Sequence, residues 1–128
     1  MMGNGDVIHH VSSLAELQSL FASTTYVAVD FYADWCGPCK VIAPTYEGLA
    51  KQHSAPKHLA FAKVNVDHAQ DAARAFGVTA MPTFMFFKDG RQVAVNGQAA
   101  IRGADPRSLS AAAEKLGGLA KKRMAEAS

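Results

Sequence analysis

The sequence predicts a single α/β domain with a mainly parallel central sheet. Its 128 residues are enough for one compact domain with short tails. About half of the residues are apolar (49%) and 19% are charged, which is the balance of a folded domain with an ordinary core. Segments with the pattern of strands alternate with segments of helical pattern in the order β-α-β-α-β-α-β-β-α, and this alternation is typical of a parallel sheet covered by helices.

The first three elements are a short strand, a helix and a buried strand. Ile8–Val11 is a brief apolar segment that fits an edge strand. The sequence Ser-Leu-Ala-Glu at 13–16 fits a capping box, and apolar residues follow it at helical spacing as far as Ser23. Tyr26–Tyr32 is a continuous apolar run interrupted only by Asp30, which is expected of a parallel strand covered on both faces.

The next three elements are a helix, a strand and a short helix. Helical periodicity covers Cys39–His53, and Pro44 inside this segment should kink the helix. Leu59–Asp67 has the composition of a second buried strand. Ala69–Phe76 is predicted to be a short helix that Gly77 stops.

The last elements are a hairpin and a helix. Thr83–Lys88 and Gln92–Val95 flank Asp89-Gly90, which is a strong hairpin signal. Asp105-Pro106 fits an N-cap followed by proline at the first helical position, and an apolar helix face follows. The hairpin adds an antiparallel edge, so the sequence predicts a five-stranded mixed β-sheet flanked by four helices.

The folded domain is expected to span residues 7–117. Residues 1–6 are predicted to be a flexible N-terminus. Residues 118–128 are predicted to be a polar C-terminal tail, because Gly117-Gly118 should weaken the last helix before the tail begins.

Composition and charge exclude several classes of function. The chain has 13 Lys and Arg against 11 Asp and Glu, and its only dense basic cluster is Lys121-Lys122-Arg123, so nucleic-acid binding is not expected. No apolar run reaches the roughly 18 residues of a membrane span, so no membrane association is expected either. Residues 1–6 show no charged or apolar region of a signal peptide, and a cytoplasmic location is therefore predicted.

The two cysteines, Cys36 and Cys39, carry the clearest functional signal. A bridge between residues so close in sequence closes almost no loop and adds little stability, so their purpose is chemical. A C-x-x-C at a strand-to-helix junction is typical of a redox dithiol. The N–H groups and the dipole of the helix end should stabilise the Cys36 thiolate, which can then attack a disulfide. Cys39, one turn further, should be less exposed and protonated, and should resolve the mixed disulfide.

The residues around the cysteines fit this chemistry. Pro38 suits the first helical turn, where no backbone N–H is needed. Gly37 would let the backbone of a partner come close, and Trp35 would cover one side of the sulfurs with a flat apolar surface. Asp30 and Lys63 each interrupt a buried strand, so the two charges are expected to share a pocket in which burial raises the pKa of the aspartate.

A zinc site is the competing interpretation of the cysteines. Cys36-x2-Cys39-x13-His53-x4-His58 satisfies the literal spacing of a Cys2His2 site. However, the sequence between the two histidines contains Pro56 and should break any helix that could carry both as ligands. About 14 residues of helix would also place His53 about 20 Å from the thiols. No metal is therefore expected.

Two motifs resemble those of the thioredoxin family. The first is Trp-Cys-Gly-Pro-Cys-Lys at 35–40, preceded by Val-Asp-Phe at 29–31. The second is Met-Pro-Thr at 81–83, before a strand that ends Phe-Phe-Lys-Asp-Gly. The resemblance covers roughly residues 7 to 116, and it implies a thioredoxin fold and a protein disulfide reductase. The segment 91–102 runs longer than the family pattern, which suggests an extended hairpin or a bulge.

The resemblance implies a role for each residue of the site. Cys36 would be the attacking thiolate and Cys39 the resolving thiol. Asp30 would be the buried carboxylate that helps to move the Cys39 proton, with Lys63 as its charge partner. Pro82 would be a cis proline that faces the sulfurs, and Met81 would offer backbone hydrogen bonds to a bound substrate strand. The other residues of the substrate groove would be Trp35, Gly37, Pro38, Gly77, Ala80, Gly103 and Ala104.

The resemblance also implies partners. A separate thioredoxin reductase would reduce the disulfide with electrons from NADPH, and disulfide-containing proteins would receive them. The chain has no Gly-rich dinucleotide fingerprint, so no bound cofactor is expected, and the protein is expected to be a monomer. One alternative is an oxidase or isomerase that runs the same exchange in the other direction, and another is an interaction module in which the thiols are secondary. The Gly-Pro pair between the cysteines resembles the reducing branch.

Overall fold

A computed structural model describes residues 7–127 of the chain. The flexible N-terminus predicted for residues 1–6 lies outside the described residues. In chain order the elements are β1 (Ile8–Val11), α1 (Leu14–Ser23), β2 (Tyr26–Tyr32), α2 (Gly37–His53), β3 (Leu59–Asn65), α3 (Gln70–Ala75), β4 (Thr83–Lys88), β5 (Arg91–Val93), β6 (Ala100–Arg102) and α4 (Pro106–Ala127).

The strands form one mixed sheet in the order β1-β3-β2-β4-β5, with β6 also paired to β4. Strands β1, β3 and β2 run parallel to one another, and β4 runs antiparallel to β2. In this register Asp30 of β2 lies between Lys63 of β3 and Phe84 of β4. Strands β2 and β3 are almost entirely buried, which explains why their sequences are continuously apolar rather than alternating.

The outer edge of the sheet differs from the single strand predicted there. Strands β5 and β6 both pair antiparallel with β4, one along its second half and the other along its first half. Between them Val95 bridges Gln98 across Asn96 and Gly97, whose φ angles are 52° and 80°. Asn and Gly tolerate this left-handed backbone. The extra residues of segment 91–102 therefore form a turn that projects from the edge of the sheet, and the chain pairs with β4 again after it. The fifth position of the sheet is therefore one edge strand in two pieces.

Helices cover both faces of the sheet. Helices α2 and α4 pack together on one face, and α1 contacts α3 on the other. The core under α2 includes Ala28 of β2, and strand side chains alternate between faces, so Asp30 also points toward α2. Large buried side chains on the α2 side include Tyr46, Phe61, Phe84, Phe86 and Leu109, and those on the α1 side include Leu17, Phe31 and Phe87.

Helix α4 does not weaken at Gly117-Gly118 as the sequence suggested. It continues through both glycines to Ala127. Gly117 is buried against α2, where a Cβ atom would come within 2.5 Å of His53 Nδ1, and Ala120 is buried one turn later. Two glycines cost a helix about 1 kcal/mol each, and the close packing that Gly117 allows offsets this cost. The proposed boundary at residue 117 is therefore not a structural boundary.

Helix α2 also begins at a different residue from the one that the periodicity of its apolar residues predicts. It begins at Gly37 rather than Cys39, and it runs through Pro44 to His53 without a break. Its buried face consists of Cys39, Ile42, Tyr46, Leu49 and Ala50. Within residues 7–127, none of the helices combines the length and the apolar composition needed to cross a membrane.

Candidate redox site

The redox site is built where β2 turns into α2. Cys36 is the N-cap of α2, and its extended backbone (φ −89°, ψ 109°) directs its side chain back over the first turn. The backbone N–H of Cys39 donates a hydrogen bond to Cys36 Sγ (3.2 Å). Pro38 lies in the first turn, where its missing N–H leaves no helical hydrogen bond unmade. This end of the helix therefore directs an N–H donor toward the sulfur, which favours negative charge on Cys36.

Cys36 and Cys39 form a disulfide, with their Cα atoms 5.3 Å apart. The two residues are equally exposed, at 5% each, so the expectation that Cys39 is the less exposed one is wrong. Both cysteines belong to a small apolar cluster against which Met81 and Val66 pack, and the backbone of Met81 lies beside Cys36. What distinguishes the two sulfurs is the hydrogen bond that Cys36 Sγ receives from the first turn of the helix.

A loop before β4 lies against the disulfide. The Met81–Pro82 peptide bond is cis, and the carbonyl oxygen of Met81 lies 3.6 Å from Cys36 Sγ. The Thr83 hydroxyl donates to the carbonyl oxygen of Ala80 (2.6 Å), which ties the two sides of this loop together. Met81 is half-buried and Pro82 is buried, so a partner that reaches the sulfur must pass beside the backbone of this loop.

Asp30 is buried beneath α2, with 1% of its surface exposed. Its Oδ1 atom accepts no hydrogen bond. Burial raises the pKa of Asp30 to about 7, against the opposing attraction of Lys63, which lowers it. A carboxylate with this pKa exchanges its proton near neutral pH, which a proton acceptor for a thiol requires.

Lys63 lies beside Asp30 but is not simply its ion-pair partner. It is half-buried on β3, directly opposite Asp30 in the register. Its Nζ atom lies 4.5 Å from the centroid of the Tyr32 ring, a cation–π contact. Tyr32 and Asp30 are two residues apart on the same face of β2, so the ring and the carboxylate both attract the ammonium group.

Trp35 borders the site and is held by residues that the sequence analysis did not select. Its side chain is 69% exposed, and its indole N–H donates to Asp67 Oδ2 (2.9 Å). Behind it the buried Asn65 donates to Asp34 Oδ2 (3.2 Å) and accepts from the N–H of Asp67 (2.9 Å). A usable signal was that the carboxyl ends of parallel strands β2 and β3 meet at one edge, which brings Asp34 close to 65–67.

The remaining residues predicted to line the groove differ in their contacts and in their exposure. The backbone N–H of Gly103 donates to the carbonyl oxygen of Pro82 (2.8 Å), and Gly103 has a φ of 102°, which only glycine adopts easily. Ala104, the next residue, is half-buried. Gly77 has a φ of 66° and its N–H donates to the carbonyl oxygen of Arg74 at the end of α3. The left-handed conformation of Gly77 is therefore explained by its place in the helix cap. Residues Gly37, Pro38 and Ala80 are exposed.

The structure gives one of the two histidines of the competing zinc interpretation a role in packing. His53 is the last residue of α2, and its ring lies against Gly117 of α4. Both sulfurs are engaged in the disulfide. In the part of the chain from 7 to 127, no group of three or more His, Cys, Asp or Glu side chains is placed to hold a metal ion.

Comparison with known proteins identifies the family to which this site belongs. The thioredoxin family model matches residues 9–114, which is most of the chain and includes every residue of the site. The chain belongs to the thioredoxin family. It is 71% identical over 121 residues to a thioredoxin-like protein of Fusarium culmorum, covering 94% of this chain and 100% of that protein. It is 57% identical over 122 residues to a thioredoxin of Neurospora crassa, covering 95% and 96% of the two chains.

Solved structures of thioredoxins have the same fold. The thioredoxin of Plasmodium falciparum matches with a TM-score of 0.74 at 38% identity, covering 84% of this chain and 97% of that one. The thioredoxin of Malassezia sympodialis matches with a TM-score of 0.73 at 35% identity, covering 86% and 90%. The prediction of a single-domain thioredoxin fold, with a mixed sheet and four helices, is confirmed. The protein is a thiol-disulfide oxidoreductase that reduces disulfides with its Cys36–Cys39 pair, and thioredoxins need no bound cofactor.

Proposed function

We propose that the protein reduces disulfides of other proteins in the cytoplasm and is itself recycled by a thioredoxin reductase with electrons from NADPH. The observation that carries the proposal is the environment of Cys36 Sγ. This sulfur accepts a hydrogen bond from the N–H of Cys39 and lies 3.6 Å from the carbonyl oxygen of Met81. A thiolate is stabilised there, beside a backbone to which a substrate strand can bind.

The first step is an attack by Cys36. Its thiolate sulfur forms a bond with one sulfur of the target disulfide, and the other target sulfur leaves as a thiolate. The backbone of Met81, beside Cys36 Sγ, orients the target strand. The product of this step is a mixed disulfide between Cys36 and the target.

The second step resolves this mixed disulfide. Asp30 accepts the proton of the Cys39 thiol, and the new thiolate attacks Cys36 Sγ. The bond between Cys36 and the target breaks, the second target sulfur leaves as a thiolate, and the Cys36–Cys39 disulfide forms. Because the pKa of Asp30 is about 7, its carboxylate form is available at neutral pH, and Lys63 stabilises the charge that it then carries.

The third step regenerates the dithiol. A thioredoxin reductase transfers two electrons from NADPH to the Cys36–Cys39 disulfide, and the disulfide takes up two protons. The cytoplasmic location is supported by the cysteine content, since the chain has 2 cysteines, both in the redox pair, as expected in a reducing compartment.

Coupled turnover tests the proposal. NADPH oxidation is followed in a mixture of this protein, a thioredoxin reductase and insulin, with a Cys36→Ser variant in parallel. Catalytic turnover that is lost in the variant supports both the direction of the reaction and the nucleophile. If the parent protein shows no turnover although its dithiol can be reduced chemically, reduction by this partner is refuted and an oxidant with a higher reduction potential is indicated.

A further inference from the structure

We propose that Tyr32 is a positioning residue whose ring holds the ammonium group of Lys63 and so prevents it from forming a hydrogen-bonded ion pair with Asp30. Asp30 thereby keeps the basicity that it needs to accept the proton of Cys39. The inference rests on the proposed function, because it concerns the step that resolves the mixed disulfide. Tyr32 neither gives nor takes a proton in this step and acts only through Lys63.

The observation behind this proposal is the position of the Lys63 ammonium group. Its Nζ atom lies 4.5 Å from the centroid of the Tyr32 ring. Lys63 is directly opposite Asp30 in the register of β2 and β3, and Tyr32 follows Asp30 by two positions on the same face of β2. A lysine side chain at this place can reach toward the carboxylate or toward the ring. In the structure its ammonium group lies over the ring.

The carboxylate is left without a hydrogen bond from its neighbour in the register. Asp30 Oδ1 is buried and accepts no hydrogen bond from Lys63 or from any other group of residues 7–127. An opposite charge in direct contact lowers the pKa of a carboxyl group by about 1–3. For Asp30 the balance is reversed, because burial is the larger effect and raises the pKa to about 7, while Lys63 lowers it only in part.

The other groups packed around Asp30 cannot replace the cation. From α2, the buried Tyr46 hydroxyl donates to two backbone carbonyl oxygens, and Cys39 is engaged in the disulfide. The register partner on β4 is the apolar Phe84, and the side chains that α4 buries are apolar as well. Among residues 7–127, the charge that opposes the effect of burial on Asp30 is that of Lys63. The place of its ammonium group therefore sets how basic Asp30 is.

Tyr32 is well fixed for this purpose at the end of β2. Its carbonyl oxygen accepts from the N–H of Val66 (2.9 Å), and its partner in the register is Asn65. Its side chain is half-buried and packs against the cluster that Ala33 forms with the two cysteines. Burial raises the pKa of its hydroxyl above the ordinary value, so the ring is uncharged at neutral pH and attracts a cation through its face.

The titration of Asp30 tests the proposal. The carboxyl carbon signal of Asp30 is followed by NMR against pH in the oxidised protein, in which the two cysteines do not titrate. Tyr32→Leu removes the ring, Tyr32→Phe keeps it, and Lys63→Gln removes the cation. Lys88→Gln is the matched control, because it removes a cation that lies 5.8 Å from another ring of β2, that of Tyr26.

In Tyr32→Leu the ammonium group is free to bind the carboxylate, so the midpoint of the Asp30 titration should fall by about 1 pH unit. Tyr32→Phe and Lys88→Gln should keep the parent's midpoint. Lys63→Gln should raise it, and adding Tyr32→Leu to Lys63→Gln should then change nothing further. An unchanged midpoint in Tyr32→Leu, an equal fall in Tyr32→Phe, or an equal fall without Lys63 overturns the proposal. If Tyr32→Leu does not fold, Tyr32→Met is used with the same outcomes.

The resolving step gives the second measurement. The reduced protein is mixed with the aromatic disulfide dithiobis(nitrobenzoate), and stopped flow follows the second nitrobenzoate thiolate, which leaves when Cys39 attacks. At pH 8 the first-order rate constant of this release should fall about threefold in Tyr32→Leu, because a weaker base accepts the proton, and Tyr32→Phe should keep the parent's rate. An unchanged rate despite a lower midpoint overturns the part of Tyr32 in this step. A parent that resolves this disulfide but shows no turnover with a reductase and insulin refutes the proposed function alone.

Discussion

The two ends of helix α2 are built for different purposes. At its first turn Cys36 Sγ accepts the N–H of Cys39, and the surrounding surface is open enough to leave Trp35 69% exposed. At its last turn the His53 ring lies so close to α4 that a Cβ at Gly117 would come within 2.5 Å of it. One end directs a backbone donor at a reactive atom, and the other is closed by packing.

The difference shows how one helix can serve both chemistry and stability. The N–H groups of the first turn have no partner within the helix, so they are free to stabilise a thiolate. At the other end the Ser54 N–H donates to the carbonyl oxygen of Ala50, which continues the helical pattern into the cap. We therefore expect substitutions near Cys36 to change reactivity and substitutions near His53 to change stability. Asp30, buried beneath the reactive end, should affect both.

The largest effect is expected at the reactive end, for Cys39→Ser. The serine hydroxyl cannot resolve the mixed disulfide, so turnover with insulin should fall at least about 100-fold. The measurement is NADPH-coupled turnover, with mass spectrometry of the protein after mixing with insulin. A covalent adduct of protein and insulin chain should accumulate, and its absence together with retained turnover would contradict the assignment of Cys39.

The second effect concerns the charge beneath the reactive end. The pKa of Asp30 is about 7 in the folded protein against 3.8 for an ordinary aspartate, so the folded state binds this proton more tightly than the unfolded state. Stability from this source is complete below pH 3.8 and is lost as the pH rises through 7. Asp30→Asn has no charge to bury, so it should be more stable than the parent at pH 8 by up to about 4 kcal/mol. Denaturant unfolding at pH 5 and pH 8 measures this difference.

An exposed aspartate provides the control for that experiment. Asp105 caps α4 by accepting from the N–H and the hydroxyl of Ser108, and these hydrogen bonds lower its pKa. Asp105→Asn should therefore gain no stability as the pH rises. If Asp30→Asn has no advantage over the parent that grows between pH 5 and pH 8, the buried carboxylate does not titrate as described.

The third effect concerns the packed end of α2, where two adjacent glycines can be compared. A Cβ at Gly117 meets the His53 ring, whereas a Cβ at Gly118 meets nothing within 4 Å. Gly117→Ala should lower the free energy of unfolding by about 1–2 kcal/mol, because overpacking outweighs the gain in helix propensity. Gly118→Ala should raise it by about 0.5–1 kcal/mol. Denaturant unfolding measures both, and the insulin reduction rate of each folded variant should equal the parent's. A stabilising Gly117→Ala would mean that the two helices are not in close contact there.

The sequence was sufficient for the fold because its strands and helices have strong local patterns. The strand interrupted by Asp30 and the helix that follows Cys36 could be located without a structure. The helix through Gly117-Gly118 could not, since glycine lowers helix propensity and only the contact with His53 explains why the helix continues. The two-part edge strand was also beyond the sequence, because the pairing of β6 with β4 depends on how segment 94–99 returns to the sheet.

In the candidate site, the sequence identified residues that lie within the motifs. It did not identify residues that contact the motifs only in the folded protein. Cys36, Cys39 and Met81 lie in recognisable motifs. Asn65 and Asp67 do not, and their part becomes visible only when the ends of β2 and β3 are side by side. The equal exposure of the two cysteines was also unpredictable, because it depends on Met81, 45 positions further along the chain.

The smallest effect is expected for the contact that holds Trp35 beside the disulfide. Asp67→Ala removes the acceptor of the indole N–H, and because the indole is 69% exposed the free energy of unfolding should fall by less than about 1 kcal/mol. The indole should then move more freely over the entrance to Cys36 and slow insulin reduction about twofold. The chain has 1 tryptophan, so the fluorescence anisotropy of the protein reports on this side chain alone and should decrease. Asp67→Asn keeps an oxygen acceptor and should preserve the anisotropy. An unchanged anisotropy in Asp67→Ala would mean that packing rather than this hydrogen bond positions Trp35.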